Sequence, residues 1–186
     1  NYNLDYLNSY QLKGEENTSL SRTKIIQLGY ELQSGSYEHS PDDTWLKSMK
    51  KINKIINELL STKECINILE VGCGEGNALR CLKKLINEND LKRVNFFGLE
   101  LSFSRTKICK KYFNNSIMVV GDMNNLPFDD NSFDIVFTSG AIEPNRDQEE
   151  VILKELYRVS NDYIILNEIS YREANDKLKD LMNINI

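Results

Sequence analysis

An apolar run of strand length, INILEV (residues 66–71), ends directly in three glycines spaced two apart, Gly72, Gly74 and Gly76. A helical pattern begins immediately behind them, with Ala78, Leu79, Leu82, Leu85 and Ile86 at three-to-four-residue spacing. A Gly-rich turn between a strand and a helix lets a ligand approach the backbone, while the helix offers its first amides to an anion or polar group. The chain must therefore supply a sheet around that turn.

Further strand-length runs follow, VNFFGL (94–99), IMVV (117–120), FDIVFT (133–138) and YIILNE (163–168), bounded by Gly, Asn or Asp. Helical patterns fill residues 76–88, 103–113 and 148–159. Strand alternating with helix predicts an α/β fold: a Rossmann-like, doubly wound, mostly parallel sheet with helices on both faces. Upstream, Trp45, Met49, Ile52, Ile56 and Leu59 form one stripe, predicting a helix that starts after Pro41 with Asp42 or Asp43 as its cap. The first forty residues, rich in Asn, Ser, Tyr and Gly, predict a short helix or two and a loop. We divide the chain into an N-terminal lid or cap segment (1–40) and a ligand-binding domain (41–186), one domain overall.

Composition narrows the function. The 186 residues carry a net charge of -5, which gives no general attraction to a phosphate backbone and argues against nucleic acid. No apolar run reaches the roughly 20 residues of a membrane span, so a soluble, cytoplasmic protein is expected. Four cysteines without a CxxC pair and a single histidine, His39, do not make a structural zinc site and fit reduced thiols.

The glycine spacing separates two ligands. A dinucleotide fingerprint places its third glycine three residues after the second, at the position held here by Asn77, whereas this chain reads GxGxG. Glu70, two residues before the first glycine, would repel a pyrophosphate and attract an ammonium group. S-adenosylmethionine carries an ammonium, a carboxylate and no phosphate, so the spacing favours it over NAD. Glu100, ending the second strand, can accept both ribose hydroxyls. Asp122, after the third, can accept from the adenine amino group while the Met123 amide meets the ring. Three acidic groups at successive strand ends converge on one crevice.

From about residue 41 to 169 the chain resembles the class I S-adenosylmethionine-dependent methyltransferases. LEVGCGEG is similar to their first motif, GLELS to their ribose-binding strand end, and GDMNNLPFDDNSFDIVFTSGAIE to their adenine loop and fourth strand. The resemblance implies cofactor contacts from Glu70, Gly72, Cys73, Gly74, Gly76, Glu100, Leu101, Asp122, Met123 and Ser139, with Leu126 over the adenine face and Gly140 near the sulfonium. It implies methyl transfer with S-adenosylhomocysteine as product, while the acidic charge and short chain, which leave little surface for a polymer, favour a small-molecule or sugar-like acceptor methylated on O or N. Glu143 and His39 are the candidates for a catalytic base, and Tyr30 and Tyr37 are candidate lid aromatics. The alternative is a non-catalytic methyltransferase-like domain with an interaction or regulatory role. Two departures stand out. SGAIEPN has no His after the fourth strand and is no equivalent of the NPPY-type tetrad of base methylation. The residues after Glu168 are too few for the family's closing helix and antiparallel hairpin, so either the chain is a fragment or those strands are missing. A short-chain dehydrogenase is set aside because no tyrosine has a lysine four residues later.

Overall fold

The structure, a computed structural model, describes residues 21–37, 43–145 and 147–168. Its order is α1 (Arg22–Leu32), α2 (Asp43–Leu60), β1 (Ile66–Val71), α3 (Asn77–Leu85), α4 (Glu88–Leu91), β2 (Val94–Glu100), α5 (Phe103–Tyr112), β3 (Ile117–Val120), β4 (Phe133–Ser139), α6 (Glu149–Val159) and β5 (Ser160–Asn167). A 3-10 turn, Glu143–Asn145, interrupts the loop between β4 and α6. The five strands form one sheet in the order β3-β2-β1-β4-β5, and every pair is parallel.

Strand periodicity builds the two cores. Side chains alternate across a strand, so Ile68, Ile135 and Phe137 face α2, α3 and α5, packing with Met49, Ile52, Ile56, Leu79, Leu82 and Cys109. Leu69, Val71, Leu99 and Val136 face the other way and pack with Ile152, Leu156 and Val159 of α6. Burial on both faces explains why consecutive positions are apolar in β1 (Ile68, Leu69) and β4 (Ile135, Val136, Phe137). At about 25 cal/mol per Å² of buried apolar surface, these two layers are the main stabilising contribution.

Several element ends differ from expectation for local reasons. The helix expected over 76–88 stops at Leu85, because Ile86 is extended (φ -77, ψ 133) and Asn87 caps a new turn by accepting from the Asp90 amide. β5 begins at Ser160, directly off the end of α6, rather than at Tyr163. Its polar first residues, Ser-Asn-Asp, carry no apolar signal; they are held by the pairing of Phe133 with Ser160 and by Lys63, which bridges Asp134 and Asp162. The cap expected at Asp42 lies outside the described residues, and α2 starts at Asp43. The residues after Glu168 are likewise outside them, so the expectation about the closing hairpin is not addressed. None of the four cysteines, all of them described residues, is in a disulfide, and Cys73, Cys81 and Cys109 are buried. No helix among the described residues is long and apolar enough to cross a membrane.

Candidate functional site

The carboxyl ends of β1, β2, β3 and β4 open into one cavity of about 460 Å³. Parallel sheets gather ligands there because each strand delivers its last side chain and its following loop to the same edge.

Glu70, the penultimate residue of β1, is almost completely buried. The Leu79 amide donates to it from the first turn of α3, yet its Oε2 has no hydrogen-bond partner. Burial raises its pKa well above the usual carboxylate value, and the nearby Cys109 and Glu100 add to that, while the Leu79 amide and the Arg105 charge oppose it. A buried carboxylate with an orphaned oxygen lining a cavity is a receptor for a cationic donor.

The glycine loop then folds over the end of β2, with the Gly72 and Cys73 amides both donating to the Leu99 carbonyl at 2.8 and 3.0 Å. Gly72 has a φ of +75, and a Cβ there would fall 2.4 Å from Cβ of Ala141. Gly74 turns its amide onto Glu100 Oε2 at 2.9 Å, and the Ser102 amide meets Oε1 at 2.9 Å. Both oxygens of this buried carboxylate are thus oriented before any ligand arrives.

At the end of β3, Asp122 Oδ1 accepts from both the backbone and side-chain nitrogens of Asn124 at 2.9 and 2.8 Å, closing an Asx turn that presents Met123. At the ends of β4 and β5, Asn167 Nδ2 donates to Ser139 Oγ at 2.7 Å, and Glu168 accepts the Ala141 and Ile142 amides.

Residues 21–37 lie over this edge. Gln27 donates to the Leu101 carbonyl, and Glu31 accepts the Phe103 and Ser104 amides at the start of α5. Burial works against the Glu31 charge, but hydrogen bonds from Ser104, Phe103 and Ser102 hold its pKa below the ordinary value. The Gly35 amide donates to Glu75 at 2.7 Å, and Asn77 Nδ2 donates to the Tyr37 carbonyl at 2.8 Å. The Arg105 guanidinium stacks on the rings of Tyr30 and Tyr37, 4.7 and 5.1 Å from their centroids. Burial pushes the Tyr30 phenol up to about 12, against the pull of Arg105.

Of the residues singled out from sequence, Glu70, Gly72, Cys73, Gly74, Glu100, Leu101, Asp122, Met123, Ser139, Gly140, Tyr30 and Tyr37 all line the cavity. Gly76 does not: it is the N-cap of α3, and Cys109 Sγ lies 2.6 Å from where its Cβ would be, so its bareness serves packing. Leu126 is buried against α6 rather than in the cavity wall. Glu143 is exposed and outside the lining, while Asn145, two residues on, is inside it. His39 lies outside the described residues. The sequence reading passed over Trp45, Glu75, Asn77, Arg105, Asn145 and Asn167, which also line the cavity. Arg105 had a usable signal: Ser102 caps α5 by accepting the Arg105 amide, which fixes Arg105 in the first turn beside the site.

The donor set fits an adenosyl amino acid. Glu70 offers the orphaned acceptor that an ammonium needs, Glu100 a pre-oriented pair of oxygens for a diol, and the bare glycine loop a surface against which the ligand can lie.

Comparison with known proteins points to one family. The family described as methyltransferase domain matches residues 69–162. Over 76 residues the chain is 38% identical to phthiotriol/phenolphthiotriol dimycocerosates methyltransferase of Mycobacterium tuberculosis, covering 40% of this chain and 26% of that one. Over 143 residues it is 28% identical to demethylmenaquinone methyltransferase of Listeria monocytogenes, covering 76% of this chain and 60% of that one. The chain thus spans less than two thirds of either relative. In fold it is similar to the crystal structure of magnesium protoporphyrin IX methyltransferase from Synechocystis PCC 6803 with bound SAM, with a TM-score of 0.56 and 13% identity over 81% of this chain and 77% of that one.

Proposed function

The chain belongs to the methyltransferase domain family, and from that premise we propose that it binds S-adenosylmethionine and transfers its methyl group to a small-molecule acceptor. The observation that carries this reading is the Glu100 carboxylate, buried at the end of β2 with each oxygen held by a backbone amide. That arrangement suits a ribose diol and costs no reorganisation on binding. Glu70 would take the ammonium, and the Asp122 turn with Met123 would take the adenine edge.

The bound cofactor supplies an activated methyl on a sulfonium, so the chain's own task is to align an acceptor and exclude water. Residues 30–37 support a lid role, since their polar ties run to the glycine loop and to the start of α5. Ser139, Asn145 and Asn167 line the wall beside the β4 and β5 ends and would meet the acceptor. An oxygen or nitrogen acceptor of modest size, including a sugar-like one, suits hydroxyl and amide groups of this kind. The two curated relatives bear the names of methyltransferases acting on small molecules, which supports the same class. Glu143 and His39 are retained as proposed bases. Glu143 stands outside the cavity, but its charge reaches the Tyr30 phenol at the cavity wall.

Isothermal titration of the chain with S-adenosylmethionine and S-adenosylhomocysteine, with NAD as control, tests the reading. Micromolar binding of the two adenosyl compounds and none of NAD is expected. Absence of adenosyl binding overturns it and turns attention to a non-catalytic role.

A further inference from the structure

The cavity wall is electrostatically lopsided. Glu70, Glu75, Glu100 and Asp122 contribute four carboxylates, whereas Arg105 is the one cationic side chain among the described residues that line it. The cofactor proposed above is not a simple cation. Besides ammonium and sulfonium it carries an α-carboxylate, which four acidic neighbours would repel.

Arg105 is placed to offset that repulsion. Its Nη2 lies 2.6 Å from where a Cβ on Gly74 would sit, so the guanidinium rests on the glycine loop itself and depends on Gly74 being bare. Its Nε is buried and has no hydrogen-bond partner. The two tyrosine rings fix the plane of the guanidinium without using its in-plane donors. Its charge also reaches Glu70 and Tyr30, where it opposes the rise in pKa that burial causes, so it acts within the cavity. An oriented guanidinium with an unused donor beside a ligand cavity is a carboxylate receptor.

We propose that Arg105, held between Tyr30 and Tyr37 over Gly74, is a cofactor-binding residue that receives the α-carboxylate of the cofactor's amino-acid end. This rests on the cofactor reading above. It also gives the stacked tyrosines a function, because the roof segment 30–37 then sets the orientation of the group that recognises the ligand.

The test compares S-adenosylhomocysteine with 5′-methylthioadenosine, which keeps the adenosine and sulfur but lacks the amino acid. Titration of the wild type, Arg105→Ala and Arg105→Gln with both ligands is the measurement, with thermal melts confirming that each variant folds. Both variants should bind S-adenosylhomocysteine about tenfold or more weakly, as expected for loss of a charge-assisted pair, with 5′-methylthioadenosine affinity unchanged. Arg105→Gln keeps the length and much of the stacking, so it carries the test if the alanine variant does not fold. Equal weakening of both ligands would mean that Arg105 only packs the roof, and would overturn the inference while leaving the cofactor reading intact. Unchanged affinity for S-adenosylhomocysteine would overturn it in the same way. A wild type that binds neither ligand removes the cofactor reading and this inference together.

Discussion

The amide of Gly74 donates to Oε2 of Glu100 across 2.9 Å, tying the loop after β1 to the last residue of β2. With the Ser102 amide on Oε1, the carboxylate is fixed from two directions at the cavity wall. Replacing it should therefore damage recognition more than it damages the fold. Glu100→Ala is expected to weaken S-adenosylmethionine binding by about 2 to 4 kcal/mol, the scale of two lost charge-assisted hydrogen bonds. Glu100→Gln should also bind weakly, because one of its two ends must present NH2 to a backbone amide that needs an acceptor. Titration alongside a thermal melt separates lost binding from lost structure.

Gly72 tests the glycine loop without touching a charge. Its φ of +75 is unfavourable for any residue with a Cβ, and that Cβ would overlap Ala141. Gly35 shares the positive φ, at +91, but has open space around it. The pair separates backbone strain from steric clash. Gly35→Ala should cost about 1 kcal/mol from the left-handed conformation alone, and Gly72→Ala about 2 to 4 kcal/mol once overpacking is added. Urea denaturation of the two variants measures the difference, and equal losses would show that the loop shifts freely away from Ala141.

How much of this was legible beforehand follows the range of the forces involved. β1 and β4 could be read because burial on both faces makes consecutive central positions apolar, and Glu70, Glu100 and Asp122 because strand ends deliver side chains to one edge. Residues positioned by distant partners left no such trace. Asn167 enters the cavity through its pairing in the sheet and its bond to Ser139, twenty-eight positions away. Arg105 is legible only as far as the Ser102 cap that puts it in the first turn of α5; its guanidinium is held by Tyr30 and Tyr37, far back in the chain. Gly76 misled for the opposite reason: it shares the spacing of its neighbours, but its missing Cβ makes room for Cys109.

Arg158 holds the loop that stands between β3 and β4 in place of a helix. Its guanidinium donates to the Leu126 and Phe128 carbonyls at 2.9 and 2.7 Å and pairs with Glu155 and Asp130, while Glu155 in turn accepts the Leu126 amide. Those pairings raise the Arg158 pKa, the hydrogen bond it donates to Glu155 contributing most. Arg158→Met keeps the aliphatic stem but strands two carbonyls and a carboxylate. It should destabilise the protein by about 2 to 3 kcal/mol through the unpaired groups. The loop after β3 should loosen with it, and amide hydrogen exchange at residues 122–128 should rise more than exchange in β1. Uniform acceleration across the sheet would instead mark Arg158 as a general stabiliser.

In the ammonium-binding role proposed for it, Glu70 would make cofactor binding depend on pH, and the sign follows from its environment. Burial raises its folded pKa well above the ordinary 4.5, so between those two values the folded, ligand-free protein holds a proton that the unfolded chain has released. Its contribution to stability is therefore greatest at low pH and is lost as pH rises through the folded pKa. Ligand binding runs the other way, because an ammonium pairs with the ionised carboxylate and pulls its pKa down. Affinity for S-adenosylhomocysteine should accordingly rise with pH across that window, with a proton released on binding. Glu70→Gln should bind more weakly and show no such slope, yet be at least as stable as the wild type at neutral pH in the absence of ligand. Titration in two buffers of different ionisation enthalpy detects the released proton, and a wild-type enthalpy that does not change with buffer would remove Glu70 from the ammonium site.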